Sequence, residues 1–145
     1  YYNKVVGTNS RLDEIQAGLL RVRLSHMEEL TQEKIAIASR YTEGIHNPKI
    51  KLPQIPEGAT CVYHQYVIRC EERDRLIEYL NEKEIGTIIH YPIPPHLAEA
   101  YRYLGHHEGD FPITEHLAKT VLSIPMYNGM TEDEQNMVID ALNRF

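Results

Sequence analysis

The sequence predicts a two-layer α+β domain introduced by a long helix, and three observations carry that reading. Apolar residues recur at helical spacing from Leu12 to Ile45. Short runs rich in Val, Ile and Tyr interleave with helical stretches without regular βαβ lengths. Prolines and glycines mark the boundaries between them.

The first helix is expected near Arg11, with Ser10 and Asp13 as a capping box and Asp13 and Glu14 placing negative charge in the first turn. No proline interrupts it before Pro48, so it extends for roughly 30 residues, or about 45 Å. A helix of that length usually links two bodies. This divides the chain into residues 1–46, a leading loop and interdomain helix, and residues 47–145, the α+β part. "NPKIKLPQIPEGAT" reads as a loop with a Pro-Glu-Gly turn. "CVYHQYVIRC" reads as a buried strand. "ERDRLIEYLNEKEI" is a helix with Leu76, Ile77, Leu80 and Ile85 on one face and Gly86 as its cap. "TIIH" is a short second strand and "LAEAYRYLG" a short helix closed by Gly105. "FPITEHLAKT" is a helix capped by Thr114, and "VLSIP" a third strand. The last helix opens on a capping box, Thr131 with Glu134, and turns Met137, Val138, Ala141 and Leu142 inward.

Composition narrows the function. The chain has 145 residues, 42% of them hydrophobic, enough for one core. A net charge of −6 argues against a nucleic-acid partner, which requires a basic face. No apolar stretch reaches the 18 residues that a membrane span needs, so no membrane partner is expected. Cys61 and Cys70 stand at opposite ends of one strand-like run, too far apart to bridge, and read as reduced cytoplasmic thiols. The first residue is Tyr rather than Met, and the chain reads as part of something longer. The eight histidines match no metal-ligand spacing. His26 and His46 read as surface or helix-end residues, and His64 as a hydrogen-bonded core histidine. There is no Ser-His-Asp order, nucleophile elbow or glycine-rich phosphate loop.

Two stretches hold chemistry. In "GTNSRLDE", Gly7, Asn9 and Arg11 converge where a helix start leaves backbone N–H groups unpaired. That pattern suits an anion, and it equally suits an ordinary capped helix, since Asp13 and Glu14 oppose an anion placed too close. In "IIHYPIPPHLAEAY", Pro92, Pro94 and Pro95 stiffen a loop that presents His90, Tyr91 and His96 at a strand end. Either the loop binds something or its His and Tyr only pack.

Taken together, "GTNSRLDEIQAGLL", "YHQYVIR" with "ERDRLIEYL", "GTIIHYPIPPHLAEAYRYLG", "TEHLAKTVLSIPMYNGMTEDEQ" and "VIDALNRF" resemble, in order, successive motifs of the DegT/DnrJ/EryC1/StrS family. These are pyridoxal-phosphate-dependent aminotransferases acting on nucleotide-linked keto sugars, with glutamate as the usual amino donor. The opening "YYNKVVGTNSRLDE" is most similar to members that aminate the 3-keto position of dTDP-linked 6-deoxyhexoses. The resemblance implies the C-terminal small domain of a fold-type-I enzyme: a small antiparallel sheet with helices packed on it, preceded by the interdomain helix. It assigns Asn9 to the cofactor phosphate of the neighbouring subunit in a homodimer, and Arg11, His90 and Tyr91 to the nucleotide sugar. It also implies that the lysine holding the cofactor lies upstream. No catalytic residue is therefore expected in this chain, which alone should be inactive. The reading from another class is a non-catalytic module that captures a small ligand or dimerises through its long helix.

Overall fold

The computed structural model describes residues 1–145. Its first helical region is two helices, not one. Helix α1 spans Glu14–Leu24 and α2 spans Met27–Gly44. At the junction the Ser25 hydroxyl donates to the Val22 carbonyl at 2.7 Å, and the His26 N–H turns back to Arg23. A serine that satisfies a carbonyl one turn back competes with the helical ladder, and here the ladder stops. The start also differs from the expected capping box. Leu12 sits at φ 71°, and the Asp13 side chain, not Ser10, caps the helix by accepting from the Gln16 N–H at 2.8 Å. Helix α1 buries no residue, whereas the second half of α2 sends Ile37, Ala38 and Tyr41 into the core.

The sheet has two antiparallel strands, β1 (Tyr66–Arg69) and β2 (Val121–Ile124), in the register Tyr66 to Ile124 and Arg69 to Val121. A single bridge extends it on each side, Lys51 with Arg69 and Ile88 with Ser123. The expected "TIIH" strand is thus one bridge. Pro92, Pro94 and Pro95, just beyond it, lack the N–H groups a longer ladder would need. Only the last part of "CVYHQYVIRC" is strand. His64 lies outside it and is exposed, not a core histidine, although its carbonyl accepts from Lys34 Nζ at 3.2 Å. Alternation explains the packing of β1: Tyr66 and Ile68 face the core, and Val67 and Arg69 face away.

Helix α3 (Arg73–Asn81) buries Leu76 and Leu80 and stops ahead of the expected Gly86 cap; Glu84 adopts φ 60° and Ile85 turns into the core. The expected helix after Pro95 is a pair of 3₁₀ turns, Pro95–Leu97 and Glu99–Leu104, the second closed by Gly105 at φ 75°. Helix α4 (Pro112–Thr120) is capped from Phe111 rather than Thr114, with proline at its first position, where a missing N–H costs nothing. Helix α5 (Glu132–Arg144) has the expected capping box of Thr131 and Glu134. Val138, Ala141 and Leu142 are buried as expected, but Met137 is half exposed.

One continuous core of buried residues joins α2, both strands, α3 and α5, including Tyr41, Tyr66, Leu80, Leu122 and Leu142. Gly44 lets α2 and α5 approach closely, since a Cβ there would meet the Ile139 side chain at 3.0 Å. The two layers, sheet and helices, are those of an α+β domain. No helix is long and apolar enough to cross a membrane.

Candidate functional site

The stiff loop begins where the sheet ends. Ile88 exchanges both backbone hydrogen bonds with Ser123 of β2, which sets the direction of the chain two residues before His90. The His90 ring is then fixed from two sides. Its Nδ1 lies 2.9 Å from the Ser123 hydroxyl and its Nε2 lies 3.2 Å from the Gln65 amide nitrogen. With the Gln65 amide as donor, Nε2 accepts and Nδ1–H donates to the Ser123 hydroxyl. The consequence is that both ring nitrogens have internal partners. His90 borders a cleft of about 310 Å³ lined also by Thr87, Ser123 and Pro125.

Tyr91 is different: it is 59% exposed, and no hydrogen bond takes up its hydroxyl within the chain. The Tyr1 ring packs edge-on against it at 5.1 Å and against His90 at 5.9 Å. The leading segment is tied down nearby, where the Ala100 N–H donates to the Asn3 carbonyl at 3.0 Å. His96, at the far end of the loop, is a buried side chain whose Nε2 lies 3.0 Å from a Glu115 oxygen. Hydrogen bonds from the Gly109 N–H above all hold the Glu115 carboxyl below the ordinary glutamate range, with the Phe111 N–H and His96 assisting and burial opposing them.

Asn9 and Arg11 sit elsewhere. Both are exposed, and the Arg11 Nε–H donates to the Asn9 Oδ1 at 2.8 Å. Helix α1 begins at Glu14, three residues beyond Arg11, and its N-terminus is already occupied by the Asp13 carboxylate. The helix start is therefore capped from within the chain, at the Gln16 N–H. What remains is the Asn9 amide N–H₂ and the outer guanidinium N–H groups of Arg11, a donor set that fits a phosphate. No group of three or more His, Cys, Asp or Glu capable of holding a metal ion is present.

The structure thus joins His90 and Tyr91 with Tyr1, and pairs Asn9 with Arg11. Sequence reasoning missed Gln65, Ser123 and Glu115, the residues that hold the two imidazoles. Gln65 and Ser123 stand inside "YHQYVIR" and "VLSIP", yet it takes the bridge of Ile88 to Ser123 and the pairing of β1 with β2 to bring both to His90.

The likenesses to known proteins agree with this layout along the whole chain. The DegT/DnrJ/EryC1/StrS aminotransferase family model matches residues 1–143. The dTDP-3-amino-3,6-dideoxy-alpha-D-galactopyranose transaminase of Aneurinibacillus thermoaerophilus is 41% identical over 145 residues, covering 100% of this chain and 39% of that protein. The crystal structure of S. venezuelae DesV in complex with a ketimine intermediate superposes with a TM-score of 0.88 at 39% identity, covering 95% of this chain and 38% of that one. NtdA from Bacillus subtilis, solved with bound cofactor PMP, gives 0.79 at 27% identity over 95% of this chain and 33% of its own. This chain spans about two fifths of the length of the relatives it matches. With the ordered motifs, the α+β fold and a match along the whole of this chain in agreement, the chain belongs to the DegT/DnrJ/EryC1/StrS aminotransferase family.

Proposed function

We propose that this chain is the part of a pyridoxal-phosphate-dependent sugar aminotransferase that walls the nucleotide-sugar site and reaches the cofactor of a neighbouring subunit in a homodimer. The parent enzyme moves an amino group from an amino acid such as glutamate to the keto carbon of a nucleotide-linked sugar. The finer assignment is the 3-keto position of a dTDP-linked 6-deoxyhexose, and the 41% identity to a dTDP-sugar transaminase supports it. The observation that carries the reading is Tyr91, an exposed aromatic hydroxyl on a proline-stiffened span in a chain that matches sugar transaminases end to end.

Bound pyridoxal phosphate supplies the electron sink for amino transfer. The residues of this chain bind and orient. Asn9 donates from its side-chain amide to the cofactor phosphate of the other subunit. Arg11, already steered by Asn9 Oδ1, offers its outer N–H groups to the nucleotide phosphates. Tyr91 and the rim of the His90 cleft receive the sugar. In this reading residues 1–46 form the leading loop and interdomain helices, residues 47–145 form the small domain, and the free thiols of Cys61 and Cys70 accord with a cytoplasmic enzyme.

The test is Asn9→Ala in the full-length protein, with cofactor affinity measured by equilibrium dialysis of the phosphorylated cofactor. Loss of a hydrogen bond to a charged acceptor, on the order of 1.5–3 kcal/mol, corresponds to a tenfold or greater loss of affinity. Unchanged retention would remove Asn9 from the cofactor site.

A further inference from the structure

We infer that Glu115 is a positioning residue for the Tyr91 loop, and that it acts through His96. This rests on the reading of Tyr91 as substrate wall. The span from Tyr91 to Pro95 contains three prolines in five residues, so its internal dihedrals are narrowly set, and its placement depends on how its two ends are held. At the near end, Gln65 and Ser123 hold the His90 ring. At the far end the only side-chain hydrogen bond is that of His96 to Glu115, at 3.0 Å, between side chains 8% and 9% exposed.

Glu115 does more than receive this imidazole. Its two oxygens each lie 2.9 Å from the Gly109 nitrogen, and Oε1 also accepts from the Phe111 N–H at 3.2 Å. One carboxylate on the first turn of α4 thus closes the whole excursion from His96 to Phe111 and fastens it to the helix leading into β2. The rings of His96 and Phe111, 4.7 Å apart, pack together inside that closure. Strand β2 also carries Ser123, so one tie at each end of the Tyr91 span comes from a single continuous stretch, α4 followed directly by β2. A stiff span tied at each end to a single stretch holds its exposed side chain in one place, which is what a binding wall requires.

The test compares Glu115→Ala, Glu115→Gln, His96→Gln and Tyr91→Ala in the full-length holoenzyme. Each variant is assayed with the nucleotide sugar and in the half-reaction with the amino donor alone, alongside amide hydrogen exchange at residues 91–98. Glu115→Ala should raise KM for the nucleotide sugar about tenfold while the donor half-reaction stays within about twofold, the split expected when substrate positioning alone is lost. Exchange at Leu97 and Ala98, whose N–H groups donate to the Pro94 and Pro95 carbonyls, should accelerate. Glu115→Gln, which keeps one acceptor oxygen, should lie between, and His96→Gln, which keeps an N–H donor, should recover most of the affinity. Where Glu115→Ala does not fold, His96→Leu serves in its place, with the same direction expected. Unaltered exchange in residues 91–98 of a folded Glu115→Ala or His96→Leu variant overturns the inference. If Tyr91→Ala raises KM and Glu115→Ala does not, the inference also fails and the wall reading stands. If Tyr91→Ala leaves KM unaltered, the wall reading fails, and the exchange rates still decide whether Glu115 holds the loop.

Discussion

The Ser123 hydroxyl lies 2.9 Å from Nδ1 of His90, 33 positions apart along the chain. Ser123 belongs to a strand whose neighbours Leu122 and Ile124 are core residues, so the imidazole is oriented from the buried sheet. With the Gln65 amide on its other nitrogen, the His90 ring is held within the chain while Tyr91 is exposed, and in the proposed function His90 does the positioning and Tyr91 makes the contact.

This division of labour gives a kinetic expectation. Both His90→Ala and Tyr91→Phe in the full-length enzyme should raise KM for the nucleotide sugar more than they lower kcat. Ser123→Ala, which removes one neutral hydrogen bond worth about 1 kcal/mol, should raise it by about fivefold. Steady-state kinetics with varied nucleotide sugar decide the matter. A large loss of kcat at constant KM would move His90 or Tyr91 into the chemical step.

Tyr41 is the joint between α2 and the end of β2. Its buried hydroxyl donates to the Pro125 carbonyl at 2.8 Å and sits 3.4 Å from the Met130 sulfur. Burial pushes its ionisation above the ordinary tyrosine range, with the nearby Tyr127, Tyr66 and Glu134 adding to it, so the group is a neutral donor at every physiological pH. Tyr41→Phe keeps the ring packed on Tyr66, whose centroid is 5.3 Å away, but leaves the carbonyl without its partner. We expect a loss of about 1–2 kcal/mol, read as faster native-state hydrogen exchange in α2 and β2. No change would mean the carbonyl finds water.

Glu33 on α2 links that helix to the turn before α5, accepting from Asn128 Nδ2 at 2.8 Å and from the Gly129 N–H at 2.6 Å. The Asn128 hydrogen bond, then the Gly129 one, lowers its pKa, against a smaller opposing effect of burial. A carboxylate depressed in the folded state contributes stability above its unfolded pKa of about 4.3, and that contribution is lost as pH falls through the lower folded value. The Gly129 amide proton should therefore titrate with a midpoint below the ordinary glutamate value. Glu33→Gln should abolish the titration and flatten the acid limb of stability between those two values. A midpoint at or above the ordinary value would contradict the linkage.

None of the six lysines is buried. Lys49 and Lys119 face Glu72 at 2.9 Å and Glu108 at 3.2 Å, Lys34 donates to the His64 carbonyl, and Lys83 lies over the Tyr79 ring. Forming a covalent bond to a cofactor aldehyde takes a neutral amine, which burial or a cationic neighbour favours and a carboxylate opposes. The isolated 145-residue chain, mixed with pyridoxal phosphate and reduced with borohydride, should therefore show only sparse labelling spread over several lysines by peptide mass spectrometry. Stoichiometric labelling of one lysine, with amino transfer from glutamate, would sink the reading that the cofactor lysine lies outside this chain.

Local patterns settled much of this protein without its fold. The capping box at Thr131, the apolar face of α5, the Pro-Glu-Gly turn, the closure at Gly105 and the β-rich character of "YVIR" and "VLSI" each depend on residues within a few positions of one another. The ordered motifs likewise marked the family, because a motif is a local string. The tertiary structure decided whatever depends on distant partners. Two helices replaced one long helix because the Ser25 hydroxyl turned back on the backbone, while α1 buries none of its side chains within the chain. "TIIH" shrank to a bridge because the prolines beyond it left no ladder to extend. The partners of the two loop histidines were invisible in the sequence. Ser123 reaches His90 through the backbone bridge of Ile88 to β2, Gln65 through the pairing of the strand that follows it with β2, and Glu115 reaches His96 only when the excursion between them folds back. Spacing along a chain reports which face a side chain takes, and pairing across a sheet, set by backbone hydrogen bonds between segments far apart in sequence, determines which side chains meet.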